Sequence, residues 1–187
     1  FARVQKISGQ GLQVASAYGS PDPAVGWNDL PQSSSVTASV TTPVYDAPGV
    51  RRVLTGWQGG GSVPVSGTTN SVTFTLTNLS LINWTWRTEY QLTVATEGDG
   101  QVFTSAGPWV EAGVTVTVSA QTNPGSIFLG WAGSAISTVT TQVFAMNAPR
   151  TLTARFGADS DADGLADNWE LQYFGNLSQI GTDDPDH

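Results

Sequence analysis

Five landmarks recur twice along this chain in the same order, and that recurrence constrains the fold more than any single motif. In the first copy Leu12 to Val14 opens a strand, Trp27 follows a Pro/Gly loop and SVTASVTTP ends at Pro43; Gly56-Trp57 comes next, and Ile82, Trp84 and Trp86 close. In the second, Leu92 to Val94, Trp109, VTVTVSAQTNP ending at Pro124, Gly130-Trp131, and Leu152, Ala154 and Phe156 take those places in turn. Equivalent landmarks are offset by 80, 82, 81, 74 and 70 residues. An offset that holds through Pro43 and then falls means that the first copy carries an insertion, around YDAPGVRR, which the second lacks. Units of about 65–80 residues exceed the length of solenoid repeats, so the pattern reads as a tandem pair of small β domains.

The segments themselves are strand-like. SVTASVTTPV, SVTFTLTNLSL, INWTWRTEY, YQLTVATEG, GVTVTVSAQT and TLTARF alternate apolar with polar residues or are rich in β-branched ones, between Gly, Pro and Asn. No helical periodicity precedes Gly157. The expected fold is all-β: two tandem small β domains, β-grasp-like or sandwich, followed by a C-terminal loop and one short helix. Residues 1–9 form an N-terminal strand or arm, 10–90 and 91–156 the two modules, and 157–187 the loop, helix and acidic tail. No Gly/Ser linker separates the copies, because WRTEY runs straight into QLTVATEG.

Charge placement narrows the partners. The formal net charge is -8, yet residues 1–158 hold seven acidic and seven basic residues, whereas 159–187 hold eight acids and no Lys or Arg. A neutral body with an acidic tail offers no basic patch for nucleic acid and is repelled by an anionic membrane. No stretch approaches the roughly 20 apolar residues that span a bilayer, and Phe1 begins no signal peptide. Membrane insertion is therefore not expected. One Lys beside abundant Thr, Ser, Val and Gly is the usage of exported bacterial β-proteins, which places the chain outside the cell or on its surface.

Catalytic chemistry finds little footing. The sole His is His187, Cys is absent, and Ser or Thr nucleophiles have no base beside them in sequence. Glu97 and Glu111 could form a carboxylate pair for glycoside hydrolysis, but two small neighbouring β-modules leave little cleft around a sugar. GGGS at 59–62 lacks the Lys-Ser/Thr of a phosphate cradle and reads as a turn. The chain is not expected to be an enzyme.

The acidic run is ordered differently. In DSDADGLADNWE, Asp159, Asp161, Asp163, Asp167 and Glu170 stand at positions 1, 3, 5, 9 and 12, with Gly164 at position 6, where a calcium loop turns sharply. Three short Asp side chains point inward from alternate positions and Leu165 offers its backbone carbonyl. Asp167 acts directly or through water, and Glu170 reaches back with both oxygens. Such crowded carboxylates repel one another without a cation, and Ca²⁺ suits the flexible oxygen shell better than Mg²⁺. The following LADNWELQYFG reads as a helix, with Leu165, Trp169 and Tyr173 or Phe174 on one face and Gly175 as C-cap.

Four tryptophans read as core: Trp57 and Trp131 follow Gly at matching points, and Trp84 and Trp86 take the places of the apolar Ala154 and Phe156. Trp27 and Trp109 lie in Pro/Gly contexts and are the candidates for binding a ligand, a glycan in particular.

The order LTV, EGDGQV, EAGVTVTVSAQTNPGSIFLGWAGS, then TLTARF resembles the divergent internalin B-repeat over residues 90–156, and more loosely over 10–90. That resemblance implies a β-grasp-like module found in tandem on bacterial surface and secreted proteins, with a spacer or adhesive role and no catalytic residues. The acidic loop, preceded by a strand and not a helix, resembles the single-helix loops of dockerins and thrombospondin type 3 repeats. That implies a structural ion held by Asp159, Asp161, Asp163, Asp167 and Glu170, with an extracellular-range affinity of roughly 10⁻⁴ to 10⁻³ M.

Together these readings predict a non-enzymatic extracellular bacterial structural protein, a surface stalk or filament subunit rigidified by calcium. The alternative is an adhesin or carbohydrate-binding accessory module. Partners are then copies of the chain itself, other surface proteins or a glycan. FARVQKIS could add as a strand to a neighbour's sheet edge. The closing DDPDH looks like the start of another loop, with Asp184 at position 1 and Asp186 at position 3, completed by a longer polypeptide or by a neighbouring molecule.

Overall fold

The computed structural model describes residues 10–178. The expected N-terminal arm and the DDPDH segment, with His187, lie outside the described residues. The chain divides into two compact units, Phe1–Glu89 and Tyr90–His187, and its fold is all-β.

In the first unit the strands are β1 (Gly11–Ser16), β2 (Gly26–Asn28), β3 (Ser35–Ser39), β4 (Val44–Ala47), β5 (Val50–Gly60), β6 (Ser66–Gly67), β7 (Ser71–Thr75) and the start of β8 (Leu79–Glu97). β8 also supplies the opening strand of the second unit. There follow β9 (Gly100–Thr104), β10 (Trp109–Glu111), β11 (Thr115–Thr122), β12 (Ser126–Gly133), β13 (Thr141–Ala145) and β14 (Arg150–Ala158), then one helix, α1 (Asp167–Tyr173).

Alternation assigns the faces. Val36 and Ala38 of β3 point inward while Ser35 and Thr37 face water; in β11, Val116 and Val118 are buried between exposed Thr115 and Thr117. The two units then repeat their pairing residue for residue. Val14 of β1 lies opposite Ile82 on parallel β8, and Val94 of β8 lies opposite Leu152 on parallel β14. Antiparallel partners match as well: Val36 faces Phe74 across β3–β7, and Val116 faces Phe144 across β11–β13. Even the turns agree. The Ser33 N–H bonds the Leu76 carbonyl at 2.7 Å and the Gly113 N–H bonds the Met146 carbonyl at 2.9 Å. Ser33 and Gly113 both have positive φ, and Leu76 and Met146 are both fully buried.

Each core is filled from two sheets, and no helix of the described residues takes part. In the first unit Leu12, Ile82 and Trp84 meet Val36, Ala38 and Leu76; in the second Leu92, Leu152 and Phe156 meet Val116, Val118 and Met146. Trp57 packs edge-on against Trp84 at 5.7 Å, and Phe128 against Trp131 at the same separation. At about 1.5–3 kcal/mol per buried aliphatic or aromatic side chain, these clusters dominate the stability of units this small.

The Gly-Trp pairs have a physical reason. Gly56 and Gly130 have φ of +136° and +132°. A Cβ would stand 2.0 Å from the Gly67 carbonyl oxygen at Gly56, and 3.0 Å from that of Ser137 at Gly130. Only a residue without a side chain lets the strand pass so near its neighbour, and the following Trp turns into the core at 7% and 3% exposure.

The first copy departs from the second in three places, one being that β9 pairs with β11 in the second, whereas among the described residues β3 has only an isolated bridge, Ser39 to Asp22, on that side. YDAPGVRR folds into the β4–β5 hairpin, with Tyr45 opposite Arg51. A further difference lies in the loop after β5: Trp57 pairs with Gly67, ten residues on, whereas Trp131 bridges to Ser137, six residues on.

Three segments differ from the sequence expectation. SVTFTLTNLSL is not one strand: the Thr77 and Asn78 N–H groups bond the Ser62 hydroxyl oxygen instead of a ladder partner, ending β7 and starting β8 afresh. INWTWRTEY and YQLTVATEG are one strand, because nothing between them breaks the backbone. The helix begins at Asp167, so Leu165 precedes it, and Gly175 with φ +75° ends it, its N–H on the Glu170 carbonyl.

Candidate metal centre

The acidic loop is built onto the end of a core strand. β14 carries Leu152, Ala154 and Phe156 into the core and pairs through Ala158 with Ser126. The Asp159 N–H then bonds the Gly125 carbonyl at 2.9 Å, anchoring the first loop residue to the turn before β12. Ala166 is buried, close to Gly157, where a Cβ would stand 3.2 Å from its own.

Within the loop, Asp159 organises the backbone: its carboxylate accepts the Asp163 N–H at 3.1 Å and the Gly164 N–H at 3.3 Å. Gly164 has φ +93°, the conformation for which position 6 requires glycine. The Asp163 carboxylate accepts the Leu165 N–H at 2.8 Å. One carboxylate oxygen each from Asp159, Asp161 and Asp163 lies within 4.8 Å of the others.

Glu170, on α1, is not one of the carboxylates gathered within 4.8 Å of one another, but it lies near enough for their charges to act on it. It is fully buried, and neither of its oxygens has a hydrogen-bond partner; Asp163 Oδ2 is likewise buried and unpartnered. Burial pushes the Glu170 carboxyl up, and the charges of Asp161, Asp163, Asp167 and Asp159 push it further. A buried carboxylate without a donor, raised further by the charges of other carboxylates, is a costly arrangement in the absence of a cation. The orphaned oxygens therefore fit a hard cation near Asp159, Asp161, Asp163 and Glu170.

Asp167, like Glu170, is not one of the three carboxylates that lie within 4.8 Å of one another. Its carboxylate accepts the Ser160 N–H at 2.8 Å and the Ser160 hydroxyl, bonds that hold it below the usual carboxylate range. It clasps the start of the loop to the start of the helix. Trp169 packs against Tyr173 and Phe174 at 5.0 and 5.4 Å on the outer side of that helix.

The other sequence candidates fall differently. Trp57, Trp84 and Trp131 are core residues, and Trp86 is half-buried and packs against the first core with its indole N–H on the Ser16 hydroxyl. Trp27 and Trp109 lie in the short strands β2 and β10, not in loops, and both are half-buried. Trp27 donates its indole N–H to Asp29 at 2.7 Å. Glu97 is paired with Arg155 at 2.9 Å, both exposed, and Glu111 is exposed at the end of β10.

Sequence reasoning missed Glu89, a carboxylate only 5% exposed. Its Oε2 takes Arg51 at 2.6 Å and its Oε1 takes Arg87 at 2.7 Å. Arg51 arrives on the inserted hairpin, and the signal for it was the pair of arginines in YDAPGVRR, an odd feature in so uncharged a body. Arg52 beside it bonds Asp46 and Thr88 and lies over the Tyr18 ring.

Residues 90–160 match the family model of the divergent InlB B-repeat domain. The match covers the strands of the second unit and ends at the second position of the acidic loop; it extends neither to the first unit nor to the rest of that loop. No characterised protein and no solved structure matches the chain.

Proposed function

We propose that this chain is a non-enzymatic extracellular bacterial structural protein, part of a surface stalk or filament, whose C-terminal segment is fastened by Ca²⁺. The divergent InlB B-repeat match supports the coarser part of that reading, a bacterial surface or extracellular module without catalysis. No helix among the described residues is long and apolar enough to cross a membrane. The observation that carries the calcium reading is Glu170, fully buried with both oxygens unpartnered and within reach of the charges of three converging aspartates.

Chemistry selects the ion. An all-oxygen donor set excludes the soft-metal preferences of thiolate and imidazole sites. Carboxylates on a loop with a glycine hinge suit the six to eight flexible contacts of calcium better than the near-octahedral shell of magnesium. The bound ion supplies positive charge that offsets the mutual repulsion of the carboxylates. Because the loop starts at the end of a core strand, ordering it extends the rigid part of the second unit through α1.

Calorimetric titration with CaCl₂ tests this. Wild type should bind one equivalent at sub-millimolar to millimolar affinity, magnesium should compete weakly, and Glu170→Gln should lose at least tenfold in affinity. Absence of heat with wild type at millimolar calcium, or an unchanged isotherm with Glu170→Gln, would refute it.

A further inference from the structure

Gly60, at the end of β5, and Gly61, just after it, wall a groove beside Trp27. The groove has a volume of about 270 Å³ and is lined chiefly by Gln13, Trp27, Gly60, Gly61, Leu79 and Leu81. Strand register explains why these residues meet. Trp27 of β2 lies opposite Gln13 of β1, and Gln13 lies opposite Leu81 of β8, so indole, amide and isobutyl group stand in one row across three adjacent strands. Leu79 stands two residues from Leu81 and on the same face.

The indole is held in place. Its N–H is bonded to Asp29, and its ring lies against Gly11, where a Cβ would come within 2.2 Å of Cζ2. The opposite wall is bare backbone. A Cβ on Gly60 would meet Leu81 at an ordinary 3.4 Å, whereas one on Gly61 would stand 2.1 Å from the Leu79 carbonyl oxygen. Leu79 and Leu81 are 53% and 49% exposed and lie outside the core cluster, so the groove leaves apolar surface that nothing among the described residues covers.

We propose that this groove binds one pyranose ring of a neutral glycan. A pyranose offers an apolar C–H face rimmed by hydroxyls. Trp27, Leu79 and Leu81 supply the apolar surface for that face, and the exposed Gln13 amide supplies a donor and an acceptor for the rim. Asp29, which holds the indole through its N–H, does not itself line the groove. No charged side chain among the described residues lines the groove, so a neutral sugar is favoured over an anionic one. The volume lies just below the range of about 300–1,000 Å³ that holds drug-sized ligands, which suits a single ring. This site is independent of the metal centre and adds adhesion to a structural module.

The test uses the intact chain and an array of neutral oligosaccharides of glucose, galactose, mannose and N-acetylglucosamine, with sialylated and sulfated glycans as the anionic arm. Hits are then titrated by NMR. Saturable binding to a neutral glycan should weaken at least tenfold in Trp27→Ala and remain unchanged in Trp109→Ala, the matching position in the copy without the insertion. Gly60→Val, which adds an isopropyl group beside Leu81 at a permissive backbone position, should block the site while leaving Trp27 in place. Binding should persist in excess chelator, so failure of the calcium reading leaves this result untouched. Silence of wild type on all neutral glycans, preference for the anionic arm, or equal loss in Trp27→Ala and Trp109→Ala would each overturn the proposal.

Discussion

Replacing Glu89 by glutamine should cost the first unit about 2 kcal/mol at neutral pH, most of it from uncoupling the inserted hairpin from β8. The carboxylate is 5% exposed. Its Oε2 receives Arg51 Nε at 2.8 Å and Nη2 at 2.6 Å, and its Oε1 receives Arg87 Nε at 2.9 Å and Nη2 at 2.7 Å. Glutamine keeps one acceptor oxygen and turns an NH₂ toward the other guanidinium, setting donor against donor. Removing one partner of a fully buried pair costs about 3–5 kcal/mol. Arg51 and Arg87 side chains are 24% and 43% exposed, so water recovers part of their solvation and the figure falls to about 2 kcal/mol. For a unit of this size that lowers the melting midpoint by about 8–16 °C, measurable by calorimetry.

The pH dependence carries a definite sign. Burial raises the Glu89 carboxyl, but hydrogen bonds from Arg51 and Arg87, and the charges of both, outweigh it and leave the group below its ordinary value. A carboxylate depressed on folding stabilises above its unfolded pKa of about 4.3, and that stability is lost as pH falls through the lower folded value. The gap between wild type and Glu89→Gln should therefore be full above about pH 5.5 and close toward strong acid. Equal midpoints at pH 7, or a gap that stays constant into acid, would refute the reasoning.

Two further substitutions report on the backbone and the loop. Gly56→Ala and Gly130→Ala should each destabilise by about 1–3 kcal/mol in urea titration, Gly56→Ala more, because its Cβ would stand 2.0 Å from a carbonyl oxygen and that at Gly130 3.0 Å. Ser160→Ala removes a hydroxyl bond to Asp167 while its N–H bond remains, and should weaken calcium binding by about tenfold in calorimetry, the lower end for an outer-shell partner.

What could be read from the sequence was whatever rests on period and spacing. Alternation in VTVTV fixed the buried face of β11, and the repeated Gly-Trp pairs marked two corners where backbone passes close to backbone. The acidic positions 1, 3 and 5 come together because alternate short side chains on a turning loop converge. Features that depend on distant partners were not legible. Nothing local to Glu89 says that a hairpin inserted some forty residues earlier brings it a guanidinium. Asp167 has the spacing of a ligand, and nothing in that spacing says that Ser160, seven residues back, offers its carboxylate two donors. GGGS looked like a plain turn, but its glycines form a wall beside Trp27, a contact set by strand order rather than by neighbouring residues. The break at Asn78 escaped notice because the Ser62 hydroxyl that caps it comes from another loop.

A high-resolution density map of crystals grown in millimolar calcium, with anomalous data, probes the buried Glu170 carboxylate most directly. One anomalous peak should lie about 2.3–2.6 Å from both Glu170 oxygens and from one oxygen each of Asp159, Asp161 and Asp163. A map without that peak, in which Glu170 has turned to solvent or found a protein donor, would contradict a cation as the reason those carboxylates are gathered.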